Sequence, residues 1–414
     1  MGREMKDSGI EWIGEIPSTW TVRRLRYMCS IVTGNQDTQD NDPDGQYPFY
    51  VRSPIVEKSN KYTFEGPAIL MSGDGAGAGR IFHMVDGKYG CHQRVYSIQD
   101  ISGIDRRVLY YYMSNLFWII IETANSKSTV DSVRLNMLQD FPVLVPPKEE
   151  QEKISRCLSD TVSRIDNIIS KTRASIEEYK KLKQAVITQA VTKGIRGHRE
   201  MKNSGIEWNN KIPVGWSSIN PKALFRQRKD KAFEGEQQLT ASQQYGIMYQ
   251  SDYMELTGTK VVTVEKDFDI LKHVEARDFV ISMRSFQGGL EYSELSGSIS
   301  SAYVMLVPNL ELVYPRFYRW LLKSEVYIRA LQSTSNMVRD GQAMRYSNFS
   351  QVRLYIVPME EQEEIARYLD EKCAAIDQII AKKEQYLLEI ENYKKSLIYE
   401  YVTGKKEVPQ EYQA

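Results

Sequence analysis

The sequence predicts an α+β protein: two globular α/β domains in pseudo-twofold repeat, separated by two long helices that form an antiparallel coiled coil. Three observations carry this reading. The chain opens twice. Ser8-Gly9-Ile10-Glu11-Trp12, Ile16-Pro17 and Trp20 return as Ser204-Gly205-Ile206-Glu207-Trp208, Ile212-Pro213 and Trp216, a shift of 196 residues. A second echo follows at a shift of 211, where Pro147-Lys148-Glu149-Glu150-Gln151-Glu152-Lys153-Ile154 returns as Pro358-Met359-Glu360-Glu361-Gln362-Glu363-Glu364-Ile365. Directly behind each second echo, glycine and proline vanish and apolar residues step by three and four, as a helix with one buried stripe requires.

The elements follow in order. Residues 1–146 form the first globular domain, with short β-rich runs at 67–71, 80–85 and 94–98 and a helical pattern over 106–122. Residues 147–198 hold the first long helix. Its expected seam is Ile154, Leu158, Thr161, Ile165, Ile168, Thr172, Ser175, Tyr179, Leu182 and Val186. Residues 199–357 form the second domain, with β-rich runs at 260–264, 279–283 and 303–307 and a helical pattern over 315–332. Residues 358–405 hold the second long helix, with Ile365, Leu369, Ile376, Ile379, Tyr386, Ile390, Tyr393 and Leu397 on its seam; 406–414 are a tail. Prolines stand just ahead of each helix and Gly194 and Gly404 just behind, where each is favoured. A helix of about 40 residues is roughly 60 Å long and needs a partner for its stripe. The other copy is the obvious candidate, although two separate helices packed on their own domains also satisfy the pattern. A folded domain connects the two helices, so an antiparallel pair is favoured.

Bulk properties bound the function. At 414 residues, with 42% hydrophobic and 26% charged, the chain is globular and fits two to four domains. Its zero net charge counts mildly against nucleic acid, yet it can hide local basic faces. Cys29, Cys91, Cys157 and Cys373 are scattered and give no disulfide or metal spacing. Without a signal pattern or an apolar run of about 18 residues, a soluble cytoplasmic protein is expected.

The glycine-rich Ser72-Gly73-Asp74-Gly75-Ala76-Gly77-Ala78-Gly79-Arg80 lacks the Gly-Lys-Ser/Thr ending of a phosphate loop, and its alternating glycines do not fit a dinucleotide fold. A hairpin between two strands explains it. A loop this poor in side chains also lets Gly75 and Gly77 bring backbone close to a phosphate or groove, with Arg80 beside them. Cys91-His92-Gln93-Arg94 makes a weak metal site. As a reader of nucleic acid the set is better, because Arg94 suits the guanine edge and Gln93 the adenine edge, with His92 adjacent. The stretches around Lys127, Ser128 and Arg134, and around Arg339 and Arg345, occupy corresponding places ahead of each long helix and suit backbone contacts. The run Arg226-Gln227-Arg228-Lys229 is the densest basic stretch of the second domain, fitting either a solvated face or phosphate binding. Arg284 and Gln287 lie in the second domain's looser glycine loop. No catalytic set emerges: His83, His92, His198 and His273 are isolated in sequence, and neither an amino-methyltransferase nor a nuclease motif is present.

Taken together, these motifs resemble those of type I restriction-modification specificity subunits. The paired openings, the two Pro-x-Glu-Glu-Gln-x-x-Ile helix entries, and the endings Val191-Thr192-Lys193-Gly194 and Val402-Thr403-Gly404-Lys405 all match, in order and in duplicate. Ser72–Gly79 followed by His92-Gln93-Arg94-Val95-Tyr96 resembles one common type of target-recognition domain; the second domain departs from that loop pattern. The resemblance implies a non-catalytic subunit without cofactors of its own. Its two target-recognition domains would each read one half of a split double-stranded DNA site. Two methylation subunits carrying S-adenosylmethionine would dock on the coiled coil, and restriction subunits using ATP and Mg would join them. The rival readings are a specificity protein of another restriction class, a coiled-coil scaffold that binds proteins, and an enzyme with its active site between the globules.

Overall fold

The computed structural model describes residues 3–124, 132–264, 270–282, 285–334 and 344–412. They pack as two compact units, Met1–Arg173 with Glu384–Ala414, and Ala174–Lys383. Each long helix contributes one part to each unit.

The first unit opens on a hairpin, Met5–Asp7 against Glu15–Pro17, in the register Lys6↔Ile16. Ser8-Gly9-Ile10-Glu11-Trp12 is its turn. Gly9 and Gly14 sit at φ +71° and +73°, which a side chain resists, and the Ile10 N–H donates to the Ser8 hydroxyl. The second unit repeats the hairpin as Met201–Asn203 against Lys211–Pro213, with Lys202 opposite Ile212. Ile16, Trp20, Ile212 and Trp216 are all fully buried. The duplicated opening is therefore a folding element that carries its apolar residues into each core.

Behind it, each unit builds the same four-stranded antiparallel sheet. The first unit orders Ser30–Thr33, Val95–Gln99, Ala68–Ser72 and Phe82–Val85; the second orders Phe225–Gln227, Val304–Pro308, Phe279–Ile281 and Glu291–Tyr292. A two-stranded ladder leads into each long helix, Thr21–Arg24 with Pro142–Val145 and Ser217–Ile219 with Leu354–Ile356. The outer layer differs. The first unit has a mixed sheet of Glu57–Ser59, Tyr47–Tyr50, Lys88–Cys91 and Phe64–Glu65, whereas the second has two separate two-stranded sheets.

Two expected elements need correction. The helical pattern over 315–332 is two helices, Pro315–Leu321 and Glu325–Ser333. At the break the Leu322 carbonyl accepts the Leu290 N–H at 3.2 Å, and the Ser324 hydroxyl donates to the Leu321 carbonyl at 2.7 Å. The run 260–264 is not a strand. No neighbouring strand takes its backbone groups, Val262 is 87% exposed, and the Gln238 side chain holds both the N–H and the carbonyl of Val264.

The long helices run Lys148–Lys193 and Met359–Val402. In the first unit Ile154, Leu158, Val162, Ile165 and Ile169 share a core with Ile390, Leu397, Ile398 and Tyr401. Lys394 Nζ meets Asp166 at 2.6 Å and Arg173 meets Glu391 at 2.6 Å, which fixes the pair as antiparallel. In the second unit Ile187, Ala190 and Val191 pack with Ile365, Leu369 and Cys373, and Lys183 meets Asp377 at 2.6 Å. Arg196, just past the helix end, meets Glu364 at 2.8 Å. The Asp166–Lys394 and Lys183–Asp377 pairs are the same pair at the shift of 211. The seam differs from expectation. Val162, Ile169 and Ile176 are buried, while Ile168, Leu182, Ile379, Tyr386 and Tyr393 are between 37% and 55% exposed. In the first helix the buried residue lies one position beyond the expected one at Val162, Ile169 and Ile176, while Ile165 stays on the expected seam. Consecutive apolar residues at 168–169 and 379–380 leave sequence spacing unable to choose between them.

The Glu-Glu-Gln motif locks each domain to its helix. Gln151 accepts the Asp105 N–H and donates to the carbonyls of Gly103 and Pro146. Gln362 likewise accepts the Tyr314 N–H and donates to Leu312 and Val357, with no exposure. Glu150 receives Arg3 at 2.7 Å and the Trp20 indole N–H at 2.9 Å; Glu361 pairs with Arg199, which lies over Trp216. Gly194 and Gly404 end the helices at φ +75° and +72°. A Cβ at Gly404 would lie 2.5 Å from Pro17 and 3.1 Å from Trp20, so glycine is required there twice over.

Candidate nucleic-acid interface

In the first unit the glycine-rich segment is the connection of an antiparallel strand pair, closed by Ser72 N–H to the Ile81 carbonyl and Gly79 N–H to the Ser72 carbonyl. Gly75–Gly77 form one 3-10 turn. A Cβ at Gly77 would strike Ile81 at 2.3 Å, and one at Gly73 the Arg94 carbonyl at 2.8 Å. The glycines let the loop lie flat against its neighbours, with Ala76 left outward.

Three motifs distant in sequence converge on this loop. Gly73 donates its N–H to the Arg94 carbonyl at 2.9 Å and accepts the Val133 N–H at 2.8 Å. The Tyr96 hydroxyl donates to the Val133 carbonyl at 3.0 Å. Arg134 follows, exposed, at the N-cap of the helix Leu135–Gln139. Gly75, Gly77, Arg94 and Arg134 thus share one surface. Arg80 is exposed on the same loop, 3.7 Å from Glu122.

The two side chains suited to base edges are each held by a carboxylate. Arg94 Nη1 lies 2.9 Å from Asp74, which also takes Arg52 at 3.2 Å. Gln93 Nε2 lies 3.3 Å from Asp37. His92 is buried. Its Nδ1 accepts the Arg94 N–H, and its Nε2 faces Asp37 at 3.5 Å, so it braces the turn from beneath rather than facing outward. The Thr38 backbone N–H, and then His92, hold the Asp37 carboxyl below its ordinary range. Two guanidinium groups share the Asp74 carboxylate, leaving surplus positive charge beside the glycine loop.

The second unit disposes its candidates differently. Arg226 and Lys229 are exposed along and just after the edge strand Phe225–Gln227. Arg228 is tied down: its guanidinium bonds both oxygens of buried Asp278 and one of Asp230, which raises its pKa. Gln287 is exposed in the short helix Ser285–Gly288. Arg345 is exposed at the N-cap of Tyr346–Gln351, its N–H bonded to Asn348, the place that Arg134 holds in the first unit. No hydrogen bond or ion pair joins these three groups among the described residues. Lys127, Ser128, Arg284 and Arg339 lie outside the described residues.

Sequence reasoning missed Asp37, Asp74 and Arg52. Asp74 was visible within the glycine motif, and Asp37 begins a capping pattern with Asp40. Arg52 gives no local signal; it arrives through the parallel pairing of Tyr47–Tyr50 with Lys88–Cys91. Among the described residues no group of three or more His, Cys, Asp or Glu is placed to hold a metal ion, and no helix is long and apolar enough to cross a membrane.

A duplicated scaffold with diverged loops defines a two-domain recognition protein, and the comparisons with known proteins agree. Residues 17–178 match the family model of the type I restriction modification DNA specificity domain. The type I restriction enzyme EcoDI specificity subunit of Escherichia coli is 23% identical over 408 residues, covering 93% of this chain and 88% of the relative. The MjaVIII specificity subunit of Methanocaldococcus jannaschii is 22% identical over 415 residues, covering 94% and 93%. A chain from a structural study of complex assembly and conformational transition in the type I restriction-modification system shares the fold. Its TM-score is 0.66 at 14% identity, and the match covers 94% of this chain and 99% of that one. Over nearly its whole length the chain is thus similar to type I restriction enzyme specificity subunits, and residues 17–178 match their DNA specificity domain.

Proposed function

We propose that each globular domain reads one half of a bipartite double-stranded DNA site, and that the paired helices set the unread gap and dock two methylation subunits. One observation carries the reading: the same strand order recurs in both units, while the segment after the central strand, 73–81 in one and 285–290 in the other, differs in composition and conformation. A shared frame with divergent loops suits two different half-sites.

In this reading Gln93 and Arg94, with Arg226, Gln287 and their neighbours, address bases, while Arg134 and Arg345 take phosphates. The helices support docking through apolar side chains their own pairing leaves outside: Ile168, Tyr386, Leu388 and Tyr393 in the first unit, Leu182 and Ile379 in the second. Restriction subunits would complete the assembly. S-adenosylmethionine, ATP and Mg would reside on the partners, and the complex would act in the cytoplasm.

Methylome sequencing of cells carrying the chain and its methylation partner tests the proposal. A split methylated motif is expected, and its absence would refute the reading. Exchanging residues 1–146 for another recognition domain should change one half of the motif only; changes in both halves would sink the modular assignment.

A further inference from the structure

We propose that Arg23, Arg24 and Arg26, beside Tyr27, form a sequence-independent phosphate-binding flank of the first unit that extends its contact with double-stranded DNA. The proposal rests on the DNA-reading function above and deepens it.

The strand Thr21–Arg24 is exposed at all four residues and pairs on one side only, with Pro142–Val145. Arg24 Nη1 reaches Asp140 Oδ1 at 2.9 Å, and Arg26 bonds the same oxygen. Arg23 lies beside Gly103 and enters no ion pair among the described residues. Two guanidinium groups therefore share one carboxylate, Arg23 adds a third positive charge at the next position of the same exposed strand, and Tyr27 adds a phenol that is 74% exposed. Permanently charged, fork-shaped guanidinium groups suit phosphate oxygens.

The cluster continues the surface already described. Asp140 closes the helix Leu135–Gln139, and Arg134 opens it. Six steps at about 1.5 Å rise separate them by roughly 9 Å along the helix axis. Val133, one residue before, is bonded to the glycine loop. A duplex lying on that loop and on Arg134 would pass directly beside the cluster. The second unit has no such flank: Ile219, Asn220, Lys222 and Ala223 stand where the first has Arg23, Arg24, Arg26 and Tyr27. The asymmetry lies in charge rather than in fold, because both strands pair in the same way.

The test uses the full chain assembled with its methylation partner. Affinity for the cognate duplex, and for one with the first half-site scrambled, is measured across a salt series. The Arg23→Ala/Arg24→Ala/Arg26→Ala variant should weaken binding to both duplexes alike. Its slope of log affinity against log salt should be shallower by about 2 to 3, since each phosphate contact contributes about 0.9. The triple Arg→Lys variant should keep a near-normal slope, and the methylated motif should not change. An unchanged slope, or a loss confined to the cognate duplex, overturns the proposal. So does a normal slope with weakened assembly, which would mark a protein-docking face instead. If the alanine variant does not fold, Arg23→Glu carries the test, because that side chain holds no ion pair; an unchanged slope there overturns the flank. Failure of the unmodified complex to bind any split site would reject the DNA-reading function itself, a separate result.

Discussion

The entry to each long helix and the loop after each central strand are two regions with opposite histories. At the entries, Glu150-Gln151 and Glu361-Gln362 make matching bonds in both units: glutamine to the turn before the domain helix, glutamate to the arginine beside a buried tryptophan. At the loops nothing matches. One carries a flat glycine turn braced by Asp74 and Asp37, the other a short helix with Gln287 outward. The residues the two copies share here are buried glutamines whose polar atoms are all paired. Residues free to change are those whose bonds can be re-formed with water.

That contrast can be broken by experiment, most severely at the entries. Gln362→Ala strands a buried N–H and two carbonyls, so denaturant unfolding should register a loss of about 3 kcal/mol. Gln151→Ala should cost somewhat less, because that side chain is not fully enclosed. Glu361→Ala leaves Arg199 partly buried without its partner, and a loss of about 2 kcal/mol is expected, again exceeding Glu150→Ala. Should the entry substitutions cost no more than ordinary surface changes, the motif would serve partners rather than the fold.

The loops should behave in the opposite manner. Arg94→Ala should leave the melting temperature nearly unchanged while weakening DNA binding by about 1–3 kcal/mol. Relaxed sequence preference should appear in one half-site only, as read by methylation of variant duplexes. Gly404→Ala is a sharper probe of the frame, since positive φ and contact with Pro17 and Trp20 together should cost about 1–2 kcal/mol. The smallest effect concerns Cys91. Burial pushes its thiol pKa up to about 12, so alkylation at pH 8 should be slow in the folded chain and fast after unfolding.

Much of the frame was legible because it obeys local periodicity. Both long helices, their glycine ends and their antiparallel pairing follow from spacing and from the folded connection between them. The seam slipped by one residue where Ile168 and Ile169 offer two adjacent stripes, and only the partner helix decides which is buried. The site was half legible. Arg94 and the glycine loop announce themselves, but the carboxylates that aim Arg94 and Gln93 come from other strands. Arg228 looked as available as its neighbours until Asp278, 50 residues on, was found to bind it.

The Asp166–Lys394 and Lys183–Asp377 pairs have one more consequence. Two helices with thin apolar seams can slide, and these bridges work as notches against it. Sliding that brought Lys394 level with Arg173 would set two cations against each other where Glu391 now neutralises one. Lengthening a single helix would unseat a notch, whereas matched additions to both would preserve it. The register of the paired helices would then change in discrete steps rather than by drift.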